Sequence, residues 1–146
     1  MLRMRQDLKV EKSVLIKASR QKVWQCLTTP EIIKEYLFGT ETVTDWLKGS
    51  EIVFHGEYNG QQYRDHGRIL DNIPSEKLSY SYWSGFSGLE DKPENYSTIT
   101  CTLTASGDGL TQLTWTQQGF ANEEGHHHTE SNMDAFLDHI KEIAER

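Results

Sequence analysis

The chain has 146 residues, 36% hydrophobic and 25% charged, enough for one domain (1–146) that buries about 70% of the surface its extended chain exposes. Its 22 acidic against 15 basic side chains give a net charge of -7, which repels phosphate backbones and anionic lipids and argues against nucleic-acid and membrane partners. No apolar run exceeds three residues, far short of the roughly 20 that span a bilayer. The opening stretch "MLRMRQDLKVEKS" lacks the apolar segment of a secretory signal, so a cytoplasmic protein is the expectation.

In chain order, "SVLIKA" (13–18) alternates as a strand with Val14, Ile16 and Ala18 on one face. Ser19 suits a helix N-cap. "SRQKVWQCLTTPEIIKEYLF" then reads as two short helices, with Val23, Trp24 and Leu27 at helical spacing and Pro30 in the first turn of the second. Six runs with period two follow: "TETVTDW", "SEIVFHGEY", "QQYRDHGRILDNI", "KLSYSYW", "STITCTLTA" and "TQLTWTQQGF". Asn59-Gly60 is the strongest hairpin signal between them. Residues 84–96, "SGFSGLEDKPENY", have no period, and Phe86 and Leu89 make this loop a candidate cover for a cavity mouth.

From about Glu130 to Ala144, Met133, Phe136, Leu137, Ile140 and Ile143 fall on one helical stripe opposite Asp134, Asp138 and Glu142. Such a stripe needs an apolar surface, and the packed face of an antiparallel sheet is the one of suitable size. Cys26 and Cys101 belong to no metal or redox spacing and read as buried thiols.

The stretches "SVLIKASRQKVWQCLTTPEIIKEYLFG", "GSEIVF", "DHGRILDNIPSEKLSYSYW", "LTWTQQGF" and "NMDAFLDHIKEI" resemble single-domain relatives of the C-terminal domain of the activator of the Hsp90 ATPase. That family lies within the START-like (SRPBCC) superfamily. The resemblance implies an α+β helix-grip fold, a curved antiparallel sheet of about six to seven strands around a long C-terminal helix, with two short helices after the first strand. It also implies an internal cavity, and family roles as carrier of a hydrophobic small molecule, as cyclase-like enzyme, or as chaperone partner in stress response. Two positions depart from the family pattern: Asn132-Met133 stands where many relatives have Gly-Trp, and Ala18-Ser19 where Ala-Pro is common.

In that fold, alternation turns Phe54 and Tyr58, then Leu78, Tyr80 and Tyr82, then Leu113, Trp115 and Gln117 toward the concave face, with Tyr36 and Phe38 near the mouth. This aromatic set with a few polar tips suits a lipid-like, aromatic or polyketide-like ligand. Asp65 or His66 could form an acid–base pair with Tyr80 or Tyr82, but neighbours on a strand point to opposite faces, so at most one of them is inside. The leading reading of Arg64, Asp65, His66 and Arg68 is a solvated surface group.

No GxSxG elbow, GxGxxG loop or HExxH helix is present, so no catalytic residue, cofactor or metal is assigned. His126, His127 and His128 fan over more than half of a helix circumference and cannot share one tetrahedral ion. Only His126 falls on the inward side, where it joins Met133 as a ligand-facing candidate. The leading expectation is therefore a noncatalytic binder of a hydrophobic small molecule. A protein-interaction module is the alternative, and so is a cyclase- or hydratase-type enzyme using His126 or a cavity tyrosine.

Overall fold

A computed structural model describes residues 3–146, so the first two residues of the opening stretch lie outside the described residues. Ten regular elements run in the order β1 (Arg5–Ile16), α1 (Arg20–Thr28), α2 (Pro30–Tyr36), β2 (Glu41–Val43), β3 (Glu51–Tyr58), β4 (Gln61–Ile73), β5 (Lys77–Tyr82), β6 (Ser97–Ala105), β7 (Thr111–Phe120) and α3 (Glu123–Ala144). The seven strands form one antiparallel sheet in the order β1-β7-β6-β5-β4-β3-β2. Strands two to seven are a meander, and β1 joins its far edge beside β7. This is the helix-grip arrangement expected from the sequence.

Local chemistry explains most boundaries. The Ser19 hydroxyl accepts from the Lys22 amide at 3.1 Å, which satisfies one free donor of α1. Pro30 opens α2, where its missing N–H costs nothing. Asn59 and Gly60 both have positive φ, 52° and 78°, the two-residue turn whose twist matches the strands it joins. Gly67 has a different reason: a Cβ there would meet the Ser81 carbonyl oxygen at 1.7 Å, so the β4–β5 approach demands a residue with none.

Two elements are longer than their sequence pattern predicts. β1 begins at Arg5, eight residues before the apolar alternation, because Lys12 at an inward-leaning position reaches Glu130 of α3 at 3.4 Å instead of needing burial. α3 begins at Glu123, well before Glu130. Asn122 caps it by accepting from the Gly125 amide at 2.8 Å, and Glu123 and Glu124 lie at the positive end of its dipole. The loop at 84–96 is held rather than loose. The Met4 amide donates to Asn95 Oδ1 at 3.1 Å, Asn95 Nδ2 donates to the Glu90 carbonyl at 3.0 Å, and Leu89 is buried.

The main core lies where α3 crosses β1, β7 and β6. Val10, Leu113, Leu137, Ile140 and Ala144 have at most 1% exposure there. A smaller cluster of Ile52, Phe54, Ile69 and Leu78 sits on β3, β4 and β5. Cys26 and Cys101 are both buried free thiols, and burial pushes Cys101 up to about 12.

Candidate functional site

Between the small cluster and α3 the sheet and helix do not meet, and a cavity of about 420 Å³ remains. Its floor comes from β3 to β7, its roof from the middle of α3, and its far wall from α2 and the segment after it. Phe54, Tyr80 and Tyr82 form one ring cluster, with centroids 5.7 and 5.9 Å from Phe54. Tyr36, Phe136 and Trp115 form another across the space, at 5.6 and 6.3 Å. Rings meeting edge to face leave gaps that branched aliphatic chains would close.

Of the ten side chains assigned to the pocket from sequence, Tyr36, Phe54, Tyr80, Tyr82, Trp115, Gln117 and Met133 stand on this wall. Three do not. Phe38 is 86% exposed and lies beside His139 instead: its φ of 51°, with Gly39 at 99°, reverses the chain after α2 and leaves Leu37 to face the cavity. Tyr58 keeps the parity of Phe54 but is 64% exposed, because it precedes the Asn59-Gly60 turn at a hairpin tip that nothing covers.

His126 does face the sheet, but over the wrong end of it. Its ring sits edge-on to Phe120 at 5.2 Å, and Nε2 lies 2.8 Å from the Lys9 carbonyl oxygen, so it props the start of α3 on β1 and β7. His127 and His128 are exposed, and no cluster of three or more metal-ligating side chains exists among the described residues.

Polar groups on the wall are mostly occupied. The Tyr36 hydroxyl donates to the Cys26 carbonyl at 3.0 Å and ties α2 to α1. Thr40 donates to the Leu37 carbonyl at 3.0 Å and shares a 2.6 Å hydrogen bond with Tyr63. Gln117 Nε2 lies 3.3 Å from Ser97 Oγ and 3.4 Å from the Gly119 carbonyl. Burial pushes the phenols of Tyr36, Tyr80 and Tyr82 well above the ordinary tyrosine range, and for Tyr82 the Asp65 carboxylate adds to the shift.

Asp65 belongs to this wall and not to the solvated group in which its neighbours place it. It is 7% exposed, accepts from the Tyr82 hydroxyl at 2.5 Å, and leaves Oδ1 buried without a partner among the described residues. Arg64, His66 and Arg68 do point outward, to Glu51, Asp91 and the Gly49 carbonyl. The signal for Asp65 lies in the hairpin: a two-residue turn at 59 and 60 forces Phe54 opposite Asp65 and Gly56 opposite Tyr63, so inward Phe54 brings Asp65 with it. Trp46 is a second wall residue that periodicity misses. It lies beyond the end of β2 at φ 67°, and the Asn72 side chain holds its carbonyl at 2.7 Å.

The sheet and helix superimpose on solved structures of the same plan. A protein of Cytophaga hutchinsonii, ChR145, shares 41% identity over 94% of each chain with a TM-score of 0.81. CV1439 of Chromobacterium violaceum shares 18% over 96% of this chain and 99% of its own, with a TM-score of 0.77. The protein described as the Aha1 dimer of Colwellia psychrerythraea shares 18% over 94% and 96%, with a TM-score of 0.73. No curated protein matches the chain. The family described as Activator of Hsp90 ATPase homolog 1-like protein matches residues 17–145, nearly the whole sequence, and the chain belongs to that family.

Proposed function

We propose that the protein binds an apolar small molecule with at least one aromatic or polycyclic part in the cavity between sheet and α3. The observation that carries this reading is the space itself, about 420 Å³ lined by two clusters of rings. Volumes of roughly 300 to 1,000 Å³ lined by aromatics are typical of sites that enclose a ligand. Noncatalytic binding is favoured over acid–base chemistry by His126 or a wall tyrosine because His126 is spent on the β1 carbonyl and the wall phenols hold their protons too firmly to act as bases.

Thermal unfolding against panels of fatty acids, flavonoids and naphthalene derivatives tests the proposal. A true ligand at a hundred times its Kd stabilises the fold by about 2.7 kcal/mol. Failure of every class to raise the midpoint, together with no copurifying molecule in native mass spectrometry, rejects it.

A second reading, contact with another protein, is supported by Phe38 and Leu47, which stand 86% and 65% exposed. A dimeric relative makes self-association its simplest form. Sedimentation velocity of the wild type and of Phe38→Ser separates the two: a concentration-dependent dimer lost in the variant favours contact, and a monomer throughout rejects self-association.

A further inference from the structure

Asp65 is the one formally charged side chain on the cavity wall, whose other members are apolar, phenolic, hydroxyl, indole, thiol or amide groups. Nothing nearby balances it. The basic residues of the same strand face the other side of the sheet, where Arg64 lies 3.5 Å from Glu51 and His66 2.9 Å from Asp91. A buried carboxylate with no counter-charge is costly unless something else supplies the charge. Only Oδ2 is hydrogen-bonded, and Oδ1 has no partner among the described residues. Asp65 lines the space, and the terminal torsion of an aspartate is broad, so the carboxylate can turn to present an oxygen to an occupant.

The neighbours of Asp65 suit the same occupant. Tyr82 has committed its only proton to the carboxylate, so its oxygen retains lone pairs alone and can receive a donor but not supply one. Phe54 stands opposite Asp65 in the strand register, and its ring lies 5.7 Å from Tyr80 and 5.9 Å from Tyr82. Aromatic faces attract a cation through their quadrupoles, most strongly where water is excluded.

We propose that the cavity selects an apolar ligand carrying one protonated amine, seated against the Asp65–Tyr82 pair and beside the rings of Phe54 and Tyr80. The inference rests on the binding function proposed above and specifies its ligand class. The apolar body fills the cavity, and the ammonium supplies the missing counter-charge and hydrogen-bond donor.

Three probes of one shape test it: 2-(1-naphthyl)ethylamine, 2-(1-naphthyl)ethanol and 1-naphthylacetate, titrated by calorimetry into the wild type and Asp65→Asn. The expected order is amine, then alcohol, then carboxylate, with the amine about tenfold tighter than the alcohol, as a charge-assisted hydrogen bond provides. Asp65→Asn should erase that preference and leave the alcohol within about threefold of its wild-type affinity. A wild-type measurement guards against a variant that fails to fold: the Asp65 carboxyl carbon resonance should move on adding amine and much less on adding alcohol. Equal binding of amine and alcohol to the wild type, or an amine preference that survives Asp65→Asn, overturns the amine assignment and leaves the cavity function standing. Binding of none of the three to the wild type overturns the amine assignment, and the cavity function falls with it only when the fatty-acid and flavonoid panels and native mass spectrometry also find no ligand.

Discussion

Where α3 packs on β1 and the facing parts of β7 and β6, side chains close on one another until Val10, Leu113 and Ala144 retain no exposure. Over β3, β4 and β5, and reaching Ile99 and Cys101 of β6 and Trp115 and Gln117 of β7, the same sheet faces a space of about 420 Å³. The backbone plan is continuous across both halves, so the contrast lies in side-chain shape. Branched aliphatics interdigitate at crystal-like density, whereas rings with polar tips meet at edges and cannot collapse without stranding a hydroxyl. One half is filled by its own side chains and the other leaves a space between them.

The sharpest way to break that contrast is alkali. The phenols of Tyr36, Tyr80 and Tyr82 have folded pKa values raised by burial above an unfolded value near 10. Below about pH 10 both states keep these protons and the contribution is fully present. Above it the unfolded chain sheds protons that the folded chain retains, so stability falls as pH rises toward the folded values, on the order of 4 kcal/mol per pH unit for the three together. Phenolate absorbance should therefore appear for these three only as far-ultraviolet circular dichroism is lost. Phenolate forming in an intact fold would mean that the hollow half is open to water.

Leu137→Ala follows in size. It removes a side chain of 1% exposure from the dense half and should destabilise by about 3 to 4 kcal/mol in denaturant unfolding. Met133→Ala, one turn away on the same helix, should cost only about 1 to 2 kcal/mol, because the side chain borders space that already exists. Equal losses at the two positions would erase the distinction between the halves. The smallest effect belongs to the paired variant His127→Ala/His128→Ala. Both rings are exposed on α3, and the unfolding free energy should stay within about 0.5 kcal/mol of wild type.

The fold was legible wherever period and punctuation coincided. "STITCTLTA" reads as β6 at its full length, and Asn59-Gly60 as the turn it makes. Both misjudged boundaries lie where charge replaces apolar period: Lys12 in β1 is answered by an ion pair across space, and α3 begins among glutamates and histidines whose stabilisation comes from a cap and a dipole. Five cavity residues, Phe54, Tyr80, Tyr82, Trp115 and Gln117, follow from strand parity, and Tyr36 and Met133 from their places on helices. Parity says nothing of where the covering layer stops, which misplaces Tyr58, and the end of a helix says nothing of a left-handed residue that turns Phe38 away. Asp65 was hidden by its basic neighbours, although the hairpin register already placed it opposite Phe54.

The pairing of β1 with β7 also governs the order of events at the ribosome. Val14 waits for Leu113, and the Ala18 carbonyl for a hydroxyl at Thr111, 93 positions later. During that interval the meander from β2 to β6 can assemble by local hairpins, but the apolar side of the first strand has no lasting mate. The hollow half thus has the means to form first, and the dense half must be sewn shut last. Holding the nascent first strand out of wrong pairings is the folding task this topology sets for the cell.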